Sequence, residues 1–165
     1  MRLLDDGALK LALLANAYDS SFSTCWPLGS RLLLDLFVDA WRGTSGPVRG
    51  RLLAAFADAG RRFCEQAPPL VASDADWSDD PPGATLMAVV VEGATAHAAW
   101  IGADLAVLAR GAEAVWQTTP HTLVERFRRE HPDLADRSAV PNLIVRTIGP
   151  GATEAEPPDY LNTAL

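Results

Sequence analysis

Apolar residues recur along the chain with two spacings, and the switches between them mark its elements. Arg2-Leu3-Leu4 and Leu9–Ala15 flank Asp6-Gly7, a hairpin turn signal, and predict two strands. Asp19–Thr24 reads as a polar loop. From Pro27 the spacing becomes helical. Leu28, Leu32, Leu36 and Ala40 recur every fourth residue with Leu33, Phe37 and Trp41 beside them, one wide apolar face. Pro27 sits at the start, where a missing N–H costs little, and Gly43–Gly46 ends the helix. A second helix opens at Pro47. Val48, Leu52, Ala55, Phe56, Ala59 and Phe63 form its stripe, and Pro68-Pro69 stops it.

Residues 70–82 form an acidic, proline-containing connector. Four strand-like runs follow, Ala84–Glu92, Thr95–Ile101, Leu105–Ala109 and Ala114–Gln117, separated by turn signals that predict an antiparallel meander. Thr119-Pro120 reads as a helix start, Thr as N-cap and Pro at the first position, with Leu123, Val124 and Phe127 as a small apolar face. Pro141–Gly149 holds one more short apolar element, helix or strand. The expected organisation is one domain over residues 1–150 and a flexible tail over 151–165, which has little to bury.

Charge narrows the function classes. Lys+Arg is 14 against 21 Asp+Glu, a net charge of −7, which argues against nucleic acid and anionic membrane as partners. Lys10 is the lone Lys among these cations, which reads as the coding bias of a GC-rich genome. No apolar run approaches the roughly 20 residues of a spanning helix, and no signal peptide is evident at the N-terminus, so a cytoplasmic protein is expected. Cys25 and Cys64 are too few for a disulfide scaffold and read as small buried hydrophobes.

Most familiar chemistry is missing. His97, His121 and His131 lack metal-ligand spacing, and there is no Cys-x-x-Cys, nucleophile elbow or phosphate-binding glycine loop. Asp74, Asp76, Ser78 and Asp80 imitate the alternating oxygens of a calcium loop. However, Asp79 stands where its turn needs Gly and Thr85 where it needs Glu, so a solvated connector is the simpler reading. Trp26 and Trp77 fall in loops, where partial burial over the core edge and an exposed binding surface are equally open.

One larger pattern remains. Gly83-Ala84-Thr85 precedes a strand. A second strand ends in Ile101-Gly102-Ala103-Asp104. Then come Leu105–Arg110-Gly111, another strand, Thr118-Thr119-Pro120-His121-Thr122-Leu123-Val124 and, later, Val145-Arg146-Thr147-Ile148-Gly149. This order resembles the metal-dependent Ser/Thr protein phosphatases of the PP2C (PPM) family, whose segments read G-T-T, G-D-S-R, R-x-G, T-x-D-H-S-L-V and T/S-R-x-L/I-G. The resemblance spans about residues 8–150 and rests on order and spacing, since no single motif is intact. It implies an α+β fold: a layered α/β/β/α-type core of antiparallel sheets with flanking helices, reduced in size.

The departures from the family fall on its chemistry. Its first metal-bridging Asp-Gly falls on Asn16-Ala17, its second Asp on Ala103, and the Asp of T-x-D-H on Pro120. The family's N-terminal strand with its Arg and acidic pair would precede residue 1, and its S-D-G and D-N motifs would follow residue 165. Paired carboxylates are what hold two divalent cations and acidify the water between them. The resemblance therefore implies a degenerate site with no catalytic or metal residue and no cofactor. Asp19, Asp104, His121 and Arg146 are its residual polar groups. Strand alternation would turn Asp104 away from any site that Ala103 faces, unless a bulge re-aims it. The expected function is a non-catalytic pseudophosphatase domain acting through a protein partner or self-association, which would cover open sheet edges. The alternative is a Mn- or Mg-dependent phosphatase whose ligands come from Asp5, Asp6, Asp19, Asp104 or a partner chain. A third reading is phosphopeptide binding through Arg110 and Arg146.

Overall fold

The computed structural model describes residues 1–18, 26–67, 83–134, 141–149 and 157–165. The acidic connector, Asp19, Cys25 and Trp77 lie outside them. β1 (Arg2–Asp6) and β2 (Leu9–Tyr18) form the expected hairpin, turning at Gly7, whose φ of +67° suits glycine. β2 extends past Ala15 because β3 (Gly83–Glu92) pairs with its whole length, from Leu9 opposite Glu92 to Tyr18 opposite Gly83. β4 (Thr95–Ile101) pairs antiparallel with β3. Between β2 and β3 run α1 (Pro27–Gly43) and α2 (Val48–Gln66), close to the spans that the apolar spacing predicts.

Three expectations are corrected. The meander breaks after β4. Gly102 adopts φ +113°, and a Cβ there would lie 2.2 Å from Thr85 Cγ2, so the chain leaves the sheet at a residue only glycine can occupy. β5 (Val107–Arg110) and β6 (Glu113–Gln117) then form a separate two-stranded ribbon. Secondly, α3 (Leu123–Glu130) is capped by Thr122, whose Oγ1 accepts from Glu125 N–H, and not by Thr119. The Thr119 carbonyl instead accepts the Trp100 indole N–H at 2.8 Å. Thirdly, the segment expected to be a flexible tail returns to the sheet as β7 (Asp159–Ala164), antiparallel to β4. Pro141–Gly149 is neither helix nor strand and makes single bridges, Ile144 to Thr122 and Ile148 to Ala84.

The main sheet runs β1-β2-β3-β4-β7, and its two faces differ. Leu11, Leu13, Ala15 and Ala17 of β2 share one face with Leu86, Ala88 and Val90 of β3, and all are buried in the core with both long helices. Phe37, Trp41, Leu52, Phe56 and Phe63 come from the helix side, with Phe37 and Phe56 edge to face at 5.2 Å. Each such side chain contributes about 1.5–3 kcal/mol by leaving water. On the far face Met87, Ala98 and Trp100 form a small buried apolar cluster. They lie beneath Ala106 and Trp116 of the ribbon region, with Leu14 and Val89 part-covered. No helix among the described residues is long and apolar enough to cross a membrane.

Candidate functional site

The candidate site lies where β2 ends and β3 begins. Asn16 and Thr85 are cross-strand partners there, both facing away from the helices. The backbone of the next residue, Ala17, is fixed to the start of α1. Its N–H donates to Ser30 Oγ at 2.8 Å, and its carbonyl accepts from Trp26 N–H at 2.8 Å. The Gly102 bend then carries Asp104 over the strand ends. Asn16 Nδ2 donates to Asp104 Oδ1 at 2.8 Å, and Thr85 Oγ1 donates to Oδ2 at 2.5 Å. This corrects the expectation that Asp104 points away from the site. Alternation does not apply because β4 stops at Ile101 and Asp104 is not in a strand. Burial pushes the Asp104 carboxyl above the ordinary carboxylate range, and the two hydrogen bonds offset this only in part.

A second cluster lies on the other side of the same bend. Gly102 N–H donates to His121 Nδ1 at 3.0 Å, and His121 N–H donates to the Gly102 carbonyl at 2.8 Å. With Nδ1 accepting, the ring proton of neutral His121 sits on Nε2, which lies 3.2 Å from Asp159 Oδ2. Trp100 stacks on the imidazole with ring centroids 6.1 Å apart. Arg146 donates through Nη1 to Asp159 Oδ1 and through Nη2 to the Pro157 carbonyl, both at 2.7 Å. Burial works to raise the Asp159 carboxyl. The hydrogen bonds from Arg146 and His121, with their charges, outweigh it and hold the group below the ordinary carboxylate range. His121 and Arg146 together fasten the start of β7.

The structure thus gathers Asn16, Asp104, His121 and Arg146 around one turn. Ala17, Ala103 and Pro120 carry no side-chain ligand, and Asp19 lies outside the described residues. Asp5 and Asp6 are on the edge strand, engaged by Lys10 and by Trp41 and Arg51 respectively, so neither joins the site. Arg110 donates to the Ala164 carbonyl, at the end of β7 opposite Asp159, and does not join Arg146. Cys64 is a half-buried free thiol, not a fully buried one, and burial pushes the thiol's pKa above its ordinary value. Trp26 packs on Phe63 over the core edge, with ring centroids 6.3 Å apart, which settles its reading toward packing.

Sequence reasoning passed over two members, Thr85 and Asp159. Thr85 stood in the Gly83-Ala84-Thr85 segment, but its role needs Asp104 to be re-aimed. Asp159 was discounted with the tail, although Pro157-Pro158-Asp159 is a reasonable strand entry. Among the described residues no three His, Cys, Asp or Glu side chains are grouped so as to hold a metal ion.

No family model and no curated protein matches the chain. Solved structures do. The Streptococcus agalactiae serine/threonine phosphatase superposes with a TM-score of 0.70 at 21% identity, covering 99% of this chain and 66% of its own. The Staphylococcus aureus serine/threonine phosphatase gives 0.70 at 15% identity, covering 95% and 61%. The PPM Ser-Thr phosphatase of Mycobacterium smegmatis gives 0.61 at 23% identity, covering 97% and 64%. The fold is therefore that of the PP2C-type Ser/Thr phosphatases at reduced size, and the chain spans about two thirds of the length of the structures it matches.

Proposed function

We propose that this chain is a non-catalytic domain of the PP2C-like fold, a pseudophosphatase that acts in the cytoplasm as an interaction or regulatory protein. The Asn16–Asp104 hydrogen bond carries the reading. A two-metal centre needs anionic oxygens shared between adjacent cations. Here the carboxylate at the strand end is occupied by a neutral amide and a neutral hydroxyl. The donor set among the described residues does not fit a pair of Mn or Mg ions. Half-covered apolar side chains on the far sheet face, and the β1 and β7 edges, which pair with no further strand among the described residues, favour a role in contacts with other chains.

The test is Mn²⁺ calorimetry alongside hydrolysis of p-nitrophenyl phosphate on one sample. The expected outcome is no saturable heat and no turnover for the natural chain. Asn16→Asp, which sets a second carboxylate against Asp104, is expected to gain measurable Mn²⁺ binding. Turnover that survives repurification and falls in Asp104→Ala would overturn the reading in favour of a metal-dependent phosphatase with an unconventional or partner-completed site.

A further inference from the structure

His121 joins the two halves of the candidate site. Its ring is buried and lies nearly parallel to Trp100, at an interplanar angle of 18°. On one edge Nδ1 accepts the Gly102 N–H at 3.0 Å, and a backbone N–H can only donate. On the opposite edge Nε2 lies 3.2 Å from Asp159 Oδ2 and 3.1 Å from Arg146 Nη1. A neutral imidazole fits this surround, with its lone pair on Nδ1 and its proton on Nε2. An imidazolium does not. It carries N–H at both nitrogens, and the proton on Nδ1 would point at the Gly102 N–H. Rotating the ring by half a turn does not help, because Cδ2 would then face Gly102 and Cε1 would face Asp159. The charged groups seen facing the ring act in opposite directions: the Arg146 guanidinium opposes a charge on it and the Asp159 carboxylate favours one. The conflict of two donors at Nδ1 therefore decides which form the fold holds.

We propose that His121 is an acid-sensitive latch on the Gly102 turn, closed by the neutral imidazole and released when the ring takes a proton. The turn is what the latch controls. Gly102 is where the chain leaves the sheet, and its bend carries Asp104 to Asn16 and Thr85. On protonation Nε2–H stays with Asp159, and the new charge draws the two together. The Gly102 N–H meanwhile loses its acceptor. The charged ring thus keeps its hold on β7 and lets go of the turn. Asp104 is then no longer fixed over the strand ends, and Asn16 and Thr85 lose the carboxylate they share. Asp104 itself is not the trigger, because a protonated carboxyl still offers oxygen to both partners. The latch makes the arrangement at the ends of β2 and β3 conditional on the protonation of one residue that touches neither strand end.

The latch goes beyond the non-catalytic reading and does not depend on it. Mn²⁺-dependent turnover would overturn that reading and leave the latch standing. The experiment is an NMR titration of the full chain from about pH 8 to 5, following the His121 ring nitrogens, the Gly102 amide and the Asn16 side-chain amide. At the upper end Nδ1 is expected to be the nitrogen without a proton. As pH falls, the Gly102 and Asn16 signals are expected to move with the same midpoint as the ring, and protection of the Gly102 amide from exchange to fall about tenfold. His121→Asn sets an amide oxygen near the place of Nδ1 and cannot titrate, so it is expected to keep the turn closed throughout. Asp159→Asn removes the carboxylate that favours the charged ring and is expected to lower the ring and Gly102 midpoints together. A neutral ring with its proton on Nδ1 overturns the proposal, as does a ring that takes no proton before the chain unfolds. So does a ring that titrates without a response at Gly102, or a Gly102 response that persists in His121→Asn. If His121→Asn does not fold, the natural chain and Asp159→Asn decide, and midpoints that separate in Asp159→Asn overturn it.

Discussion

The two faces of the five-stranded sheet are built from the same strands and held by different forces. The helix face is dry. Leu11, Leu13, Leu86, Ala88 and Val90 are sealed by α1 and α2. The far face is apolar only in patches and is organised by directed polar contacts. Asn16 and Thr85 hold Asp104, the Trp100 indole holds the Thr119 carbonyl, and His121 and Arg146 hold Asp159. Burial stabilises in proportion to area and tolerates small shifts, whereas a hydrogen-bonded cluster depends on each partner's position. Specificity on the far face therefore resides in a few residues, and stability resides on the other.

Neighbouring leucines of β2 give the sharpest way to break this comparison. Leu13 is 1% exposed and faces the helices, whereas Leu14 faces away and is part-covered. Leu13→Ala is expected to cost about 2–5 kcal/mol, and Leu14→Ala less than about half as much. Urea midpoints measure both, and equal losses would mean that the far face is as well packed as the near one.

Next in size is Asp159→Asn, expected to cost about 1 kcal/mol once its partial exposure is allowed for. Faster hydrogen exchange at the β7 and β4 amides, without change at the β2 amides, would place the loss on the far side. The Asp159 carboxyl is held below its unfolded value, so its contribution is present above about pH 4 and is lost as pH falls through the folded value. The stability gap between the natural chain and Asp159→Asn should close in acid.

The smallest effect is expected at Asp104, and with opposite sign. Its folded value is raised, so the ionised group costs stability above that value and the cost vanishes toward the unfolded value near pH 4. Asp104→Asn keeps an acceptor for Asn16 and a partner for Thr85. It is expected to match the natural chain in acid and to gain relative stability as pH rises, by less than about 1 kcal/mol. Thermal melts across pH 4–8 measure it. A loss of stability at neutral pH would show that the negative charge itself is required.

Legibility in the sequence followed the same division. Helical spacing located α1 and α2, and turn residues located β1 through β4, because burial on the helix face imposes a period on the chain. Beyond Gly102 the strand runs of β5 and β6 and the apolar face of α3 were legible, but the sheet pairing, the cap and β7 were not, because tertiary contacts there override local signals. Thr119-Pro120 has the composition of a helix start, but its backbone is committed to the Trp100 indole and the Gly102 turn, and capping passes to Thr122. β7 carries little apolar signal, since Asp159, Asn162 and Thr163 face solvent or polar partners. It becomes a strand because β4 offers it an edge and Arg146 and His121 hold its first residue. Among the site residues, Asn16, His121 and Arg146 were legible from motif order. The aim of Asp104 was not, because one positive φ at Gly102 decides it.

The order of strands in the sheet also has a kinetic meaning. Two of its four pairings, β1 with β2 and β3 with β4, are hairpins between adjacent segments and can close in microseconds. The other two join distant parts of the chain: β2 meets β3 only after both long helices, and Trp100 meets Asp159 only after the ribbon and α3. Loop closure of this length is entropically costly, and topologies rich in such contacts fold slowly. While β7 is undocked the refolding chain displays the bare edge of β4, so the Arg146–His121 clasp also sets how long that edge stays open to misassembly.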